Sequence, residues 1–390
     1  MNIKAKFIFE IALYILIIMF MFNFGNVKYA FALVCSLLLF ISAIQKKKSF
    51  RAFVFRYELR LLLLTLTVFV GVSVIKLMIA DSNNSYLLNE IAYFLMPLIF
   101  TFLFVQIFNK DEINQIIFRL FVLFVVIFIV KSHETLSLKM IATISFQDSA
   151  SPLEGTGLAF LFVPFVVYFY SQKKYLLQGF SLILIFLTLK RLAFVFGCLI
   201  CAIAFFDQRK KRDNRIVSKK AINIAIVCFV LLPIITKYLL TDSFETWFFA
   251  KTGLDIYSFT MGRFLRMNVV TDNKAGSLGW GSTTVYLSRY FRGVYKGTEH
   301  VNFNLHNDIY KIYIETGFFG TMSFTYSYFH IIKENYYSFL LTVYLFFEMY
   351  VNHEMGAGTA QIWIVYYLIV FSLNYQQNSG FKNNAKEIVI

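Results

Sequence analysis

Runs of apolar residues long enough to cross a bilayer recur along almost the whole chain. They cover about 7–23, 29–44, 60–80, 86–108, 114–131, 156–171, 174–189, 191–206, 221–240, 317–332, 336–350 and 358–374. A membrane-crossing helix needs roughly 17–25 predominantly apolar residues. A soluble protein does not repeat such runs from end to end. The expected fold class is therefore an all-α polytopic membrane protein with about 12 transmembrane helices. Residues 1–390 are expected to form a single integral membrane domain.

The net charge of +15 does not point to nucleic acid, because the basic residues cluster in short loops between apolar runs. One cluster holds Lys46, Lys47, Lys48, Arg51, Arg56 and Arg60. The other holds Arg209, Lys210, Lys211, Arg212, Arg215, Lys219 and Lys220. Loops of this kind stay in the cytoplasm. Six spans separate the two clusters, an even number, so they agree with each other. The N-terminus, the turn at 172–174 and the C-terminus then also face inward. Lys4 and Lys6 precede the first run, and Ala30-Phe31-Ala32 resembles a cleavage site. That triplet opens the second run, so the first run is expected to stay as an uncleaved helix.

Two polar segments face outward on this reading. One is 132–155, with Asp148, Ser149, Ser151, Pro152 and Glu154. The other is 241–316, a large extracytoplasmic loop. Cys35, Cys198, Cys201 and Cys228 all lie in apolar runs. The Cys198-x-x-Cys201 spacing lacks a second pair or a nearby histidine, so buried helical cysteines are expected rather than a metal or redox site.

The large loop interleaves arginines with aromatics. Arg263 and Arg266 are three apart, as are Arg289 and Arg292, so each pair shares a face if helical. Trp247, Tyr257, Trp280, Tyr286, Tyr290 and Tyr295 lie among them. Guanidinium forks match phosphate oxygens. Aromatic faces suit a sugar ring or a bilayer interface. The plainer alternative is an amphipathic loop lying on the membrane with snorkelling arginines. Arg191, next to Lys190, sits between two apolar runs at the outer end, where a charge needs a partner, a substrate or a headgroup. Gly276-Ser277-Leu278-Gly279-Trp280-Gly281 lacks the strand and the Lys-Ser/Thr ending of a phosphate loop, so a flexible turn is expected.

His306 and Asn307 end the large loop, and Gly317 and Gly320 open the next apolar run. A histidine at a membrane surface can take a proton near neutral pH. The two glycines share a helix face and are expected to let a neighbouring helix approach. His133 and His353 lie at outer ends; His300 and His330 carry no pattern. No cluster has metal-ligand spacing, so metal-independent chemistry without a cofactor is expected.

His306-Asn307, nine residues, Gly317, two residues, Gly320 resembles the signature of the O-antigen ligase and O-antigen polymerase superfamily. Thr260-Met261-Gly262-Arg263, followed by Asp272-Asn273 and Gly279-Trp280-Gly281, is similar to that family's Gly-Arg segment and its glycine-rich continuation. Leu189-Lys190-Arg191-Leu192-Ala193 resembles its arginine-bearing helix start, with Lys where many members have Ser. The motif-bearing resemblance covers about 185–330.

The resemblance implies a GT-C-like glycosyltransferase of the bacterial plasma membrane. Its substrate would be an undecaprenyl-pyrophosphate-linked oligosaccharide met in the bilayer. A chain-length regulator and a flippase would be its protein partners. His306 would be the base, or the group that orients the attacking hydroxyl. Arg263 and Arg191 would stabilise the leaving pyrophosphate, with Arg266 in support. Asn307 and Glu315 would shape the site; Trp280, Arg289 and Arg292 would add substrate contacts. A polymerase joining carrier-linked repeat units, with inversion at the anomeric centre, is preferred. A ligase to lipid A-core is the alternative within the class. A flippase or transporter is the alternative outside it, and predicts repeated halves and midplane charges.

Overall fold

A computed structural model of the chain describes residues 3–133, 158–188, 190–209, 216–260, 262–294, 303–353, 355–356 and 358–387. Side chains are described for these except 3, 208–209, 258 and 376–387. Asp148, Ser149, Ser151, Pro152, Glu154, Leu189, Lys210, Lys211, Arg212, Arg215, Met261, Tyr295 and His300 lie outside the described residues.

The described residues are helical apart from short connections and one isolated bridge, Ile216 to Asn335. The first five helices are α1 (Ile3–Met21), α2 (Val27–Lys47), α3 (Arg56–Ala80), α4 (Leu87–Ile107) and α5 (Lys110–Ser132). Then come α6 (Ala159–Ser171), α7 (Tyr175–Thr188), α8 (Arg191–Arg209) and α9 (Lys219–Leu239). The large loop contributes α10 (Asp242–Thr252), α11 (Ile256–Phe259), α12 (Arg263–Asp272) and α13 (Ser282–Val294). The chain closes with α14 (Asp308–His330), α15 (Tyr336–Val351) and α16 (Ala360–Glu387).

Each predicted apolar run falls on a helix. Five helices, α2, α3, α4, α5 and α9, are long and apolar enough to cross a membrane by length and composition. The others include shorter apolar helices: α6, α7, α15 and residues 360–375 of α16. The short connections in the middle of the chain are real breaks. At 172–174 the chain turns with Lys173 at φ 56°, in the left-handed region. Sequence-coded caps set other starts. Asn109 and Glu112 form a reciprocal capping box on α5, and Ser218 and Asn335 cap α9 and α15.

The bundle turns apolar side chains outward, as lipid rather than water requires. Leu33, Leu37, Leu38 and Ile41 on α2, and Ile75, Met78 and Ile79 on α3, are all exposed. By contrast, residues 360–374 of α16 are buried throughout, so this helix runs through the middle of the bundle. It packs against α4, α5 and α6. The cysteines depart from expectation: only Cys35 is buried, Cys198 and Cys201 are half-buried, and Cys228 is exposed on the apolar surface. All four are free thiols.

The start of α3, with Arg56 and Arg60, and the start of α9, with Lys219 and Lys220, lie at one end of the bundle. Lys333 Nζ is 2.6 Å from Glu58 Oε1, and the Val217 N–H donates to the Glu334 carbonyl at 2.8 Å. Residues 333–335 therefore join the start of α3 to the start of α9. The large loop lies at the opposite end. There Lys76, late in α3, donates to the carbonyl of Gly276 at 2.9 Å, and Asn84 Nδ2 donates to the Trp280 carbonyl at 2.7 Å. The loop has a small apolar core of its own, with Val269, Val270, Leu287, Phe291, Leu305 and Tyr310.

Between loop and bundle, Lys311 of α14 pairs with Glu90 of α4, and each side chain is 2% exposed. Removing one member of a buried pair leaves the other charge uncompensated, at a cost of about 3–5 kcal/mol. Lys311→Met should therefore lower the thermal unfolding midpoint in detergent sharply. Adding Glu90→Leu to the same chain should recover most of that loss.

Candidate active site

The site is organised by the first two turns of α14. Asn307 caps the helix, its side-chain oxygen accepting from the Tyr310 N–H at 2.9 Å. Asp308, Lys311 and Glu315 then follow at i, i+3 and i+7, which places them on one face. All three are buried, and each binds a different element. Asp308 Oδ2 accepts from the Met355 N–H at 2.8 Å, and its Oδ1 is 2.7 Å from His353 Nδ1. Lys311 meets Glu90. Glu315 accepts from the N–H groups of Gly281 and Thr283 at 3.0 and 2.9 Å, and so caps the start of α13.

Gly317 ends this arm. It sits at φ 72°, within what would otherwise be one continuous helix. Beside the break, Lys76 Nζ donates to the carbonyls of Ile314 and Glu315, at 3.3 and 2.9 Å. Gly317 is thus a kink rather than the expected contact with a neighbouring helix; no atom lies within 4 Å of where its Cβ would be. At Gly320 the side chain of Thr316, from the same arm, fills the space a Cβ would need.

The glycine-rich turn is a rigid wedge, not a flexible loop. A Cβ on Gly276 would meet the Ile314 carbonyl at 2.3 Å, and one on Gly279 would meet Ser73 Cα at 2.6 Å. This close approach drives Trp280 into the bundle, against Phe69 (ring centroids 4.9 Å apart) and Phe94. Trp280 is buried, so it presents no face to a sugar. Asn307 and Glu315 likewise spend their polar atoms within the fold: Glu315 caps α13, and Asn307 caps α14 through its oxygen while its Nδ2 donates to Met267 Sδ at 3.6 Å.

Arg263, Arg266 and His306 are brought together. Gly262, at φ 73°, starts α12, and the two arginines follow on one face. Arg263 Nη2 donates to Asn352 Oδ1 at 3.2 Å, and Asn352 in turn donates to the buried carboxylate of Glu348. Arg266 Nη1 donates to the Asn304 carbonyl at 3.2 Å, and its guanidinium stacks over the Phe291 ring at 5.8 Å. Burial pushes the Arg263 guanidinium below its usual range, with Glu348 opposing the shift.

His306 lies between these groups. Burial, then the charges of Arg266, His353 and Arg263, push it down to about 4. Its imidazole is therefore neutral at pH 7, the form that accepts a proton. An anion seated on the two guanidiniums would cancel much of that suppression.

Three predicted residues are exposed: Arg191 at the first position of α8, and Arg289 and Arg292 on α13. Lys190, not singled out by chemistry, lies close enough to Glu348 to act on its charge. Sequence reasoning also missed Asn352, Glu348 and the Asp308–His353 pair. Asp308 directly follows the His-Asn step and was open to notice, but its partner lies 45 residues away. Beside the cluster is a cavity of about 290 Å³, lined by Tyr86, Glu90, Tyr93, Asn304, His353 and Thr359.

Comparison with protein-family models, with curated proteins and with solved structures finds no match for this chain.

The His306 environment fixes the direction of a pH effect. A native pKa held below the ordinary 6.5 means the unfolded chain binds the proton more readily. His306 thus contributes stability that is present above about 6.5 and is lost as pH falls towards 4. NMR should show the His306 ring titrating near pH 4 in the free protein, and at higher pH once pyrophosphate is added. Titration near 6.5 in the free protein, unmoved by pyrophosphate, would contradict this electrostatic picture.

Proposed function

We propose that the protein is a polymerase of undecaprenyl-pyrophosphate-linked oligosaccharide repeat units, acting at the outer face of a bacterial plasma membrane. The observation that carries this reading is the convergence of Arg263, Arg266 and His306 beside a cavity lined by tyrosines, a carboxylate and amide and hydroxyl groups. The resemblance had singled out these three residues, which are separated by up to 43 positions between Arg263 and His306.

The chemistry asks for this grouping. A glycosyl group leaves from a pyrophosphate, which gains negative charge as the bond breaks. Two guanidiniums held by neighbouring groups can meet that charge without reorganising. The nucleophile is a sugar hydroxyl, which needs a neutral base nearby. His306 is neutral in the free site, and with the pyrophosphate bound it can hold a proton and add a donor to the leaving group or orient the attacking hydroxyl. Attack from the face opposite the leaving group inverts the anomeric centre.

The basic starts of α3 and α9, with Arg56, Arg60, Lys219 and Lys220, lie at the end opposite the site, and with them at the cytoplasmic side the positive-inside rule turns the site outward. The donor lipid would reach it from the side, along the apolar surface of the bundle. A transporter would hold its notable charges at the membrane midplane, between related halves. Here Arg263, Arg266, His306 and His353 gather at the loop end. A ligase shares the signature and is the second reading.

His306→Ala and Arg263→Ala should each reduce chain transfer in isolated membranes by at least about a hundredfold, with protein levels unchanged. Arg263→Lys should also be poor, because a point charge does not replace a fork. Wild-type transfer by either alanine variant would remove the mechanism.

A further inference from the structure

His353 is the histidine in this site that carries the geometry of a general base. Its Nδ1 lies 2.7 Å from Asp308 Oδ1, and Asp308 is fully buried with its other oxygen held by the Met355 N–H. A carboxylate on Nδ1 fixes the tautomer that leaves Nε2 as the acceptor. Nε2 packs on Gly356, where an added Cβ would come within 2.5 Å, so no side chain from that residue covers it. The ring also lines the cavity of about 290 Å³ with Tyr86, Tyr93, Glu90, Asn304 and Thr359. Such a lining of aromatic faces with hydrogen-bonding groups suits a single sugar ring.

His306 is placed differently. It sits with Arg263 and Arg266, whose charges act on it directly. Any anion that draws on those guanidiniums is also close to His306. The two histidines thus divide the site into a cationic side and a carboxylate-backed side.

We propose that the cavity receives the acceptor sugar and that His353, positioned by Asp308, takes the proton from its attacking hydroxyl. This rests on the glycosyl-transfer reading above and refines it. The hydroxyl oxygen forms the new bond to the anomeric carbon. The bond from that carbon to the pyrophosphate oxygen breaks, and its electron pair leaves with the pyrophosphate on Arg263 and Arg266. The hydroxyl proton passes to His353 Nε2, and the resulting imidazolium is stabilised by Asp308. Among the described residues, the charged and titratable groups around the ring include Asp308 and His306 from the arm and its cap, and Glu90, Tyr86 and Tyr93 from the cavity lining.

The test uses the full chain in lipid nanodiscs, with lipid-linked oligosaccharide extracted from cells lacking the protein as substrate. Undecaprenyl pyrophosphate serves as a separate binding probe. His353→Ala and His353→Gln should lower the transfer rate at least about a hundredfold while Kd for undecaprenyl pyrophosphate stays at the wild-type value. Asp308→Asn keeps an acceptor for Met355 but presents an amide N–H to His353 Nδ1, turning the proton onto Nε2. It should lower kcat more than it changes KM, and should move the acid limb of the pH–rate profile to lower pH. Wild-type transfer by His353→Gln, or an unmoved acid limb at full rate in Asp308→Asn, would overturn the assignment. Loss of both transfer and binding in the His353 variants would make the residue structural and equally overturn it. If the wild type neither binds the pyrophosphate nor transfers sugar, the glycosyl-transfer reading fails and His353 loses its role with it.

Discussion

Burying three charged side chains on one face of a short helical arm is the constraint around which the loop end is built. A buried charge must find a partner or unfold the structure around it. Asp308, Lys311 and Glu315 find theirs on the 352–356 connection, on α4 and at the start of α13. One arm thereby fixes three separately encoded pieces of chain relative to one another. Gly317 makes this possible, because its φ of 72° lets the arm leave the axis of the lower helix. Beside the kink, Lys76 donates to the carbonyls of Ile314 and Glu315.

The same arrangement sets the electrostatics of the site. The buried arm holds its own charges in pairs, while Arg263 and Arg266 hydrogen-bond Asn352 and the Asn304 carbonyl. Burial first, and then the charge of these arginines, keeps His306 neutral. An anionic ligand would lower the field on His306 and bind the guanidiniums together. The carboxylate-backed His353 lies beside this cluster and lines the cavity. An arrangement of this kind, with a cationic clamp beside a directed imidazole, suits displacement of a phosphate leaving group by a hydroxyl.

Much of the frame was legible in the sequence because hydrophobicity and turn chemistry are local. Apolar runs gave the helices, and the even count between the two basic clusters agreed with the starts of α3 and α9 lying at one end. The grouping of Arg263, Arg266 and His306 came from the resemblance, with the helical spacing of the two arginines as local support. What was not legible depended on distant partners. Trp280 reads as a surface aromatic in a polar loop until Gly276 and Gly279 are seen to press that loop onto α3. Glu315 reads as a site carboxylate until it is found capping α13. The predicted run at 317–332 began where the uninterrupted apolar residues begin, yet the helix starts at Asp308, because its first turns bury charged side chains in pairs beside Ile309, Tyr310 and Ile312. His353 and Asp308 carry no spacing that announces their bond.

The central claim is that this chain joins carrier-linked repeat units. Its most direct test is a gel of surface polysaccharide from cells lacking the protein, with and without a plasmid carrying it. The account predicts that the deletion leaves a lipid core capped by a single repeat unit, and that the plasmid restores the ladder of longer chains. Loss of all capping, with long chains accumulating on the carrier lipid, would contradict polymerisation and make the protein a ligase. An unchanged ladder would contradict both.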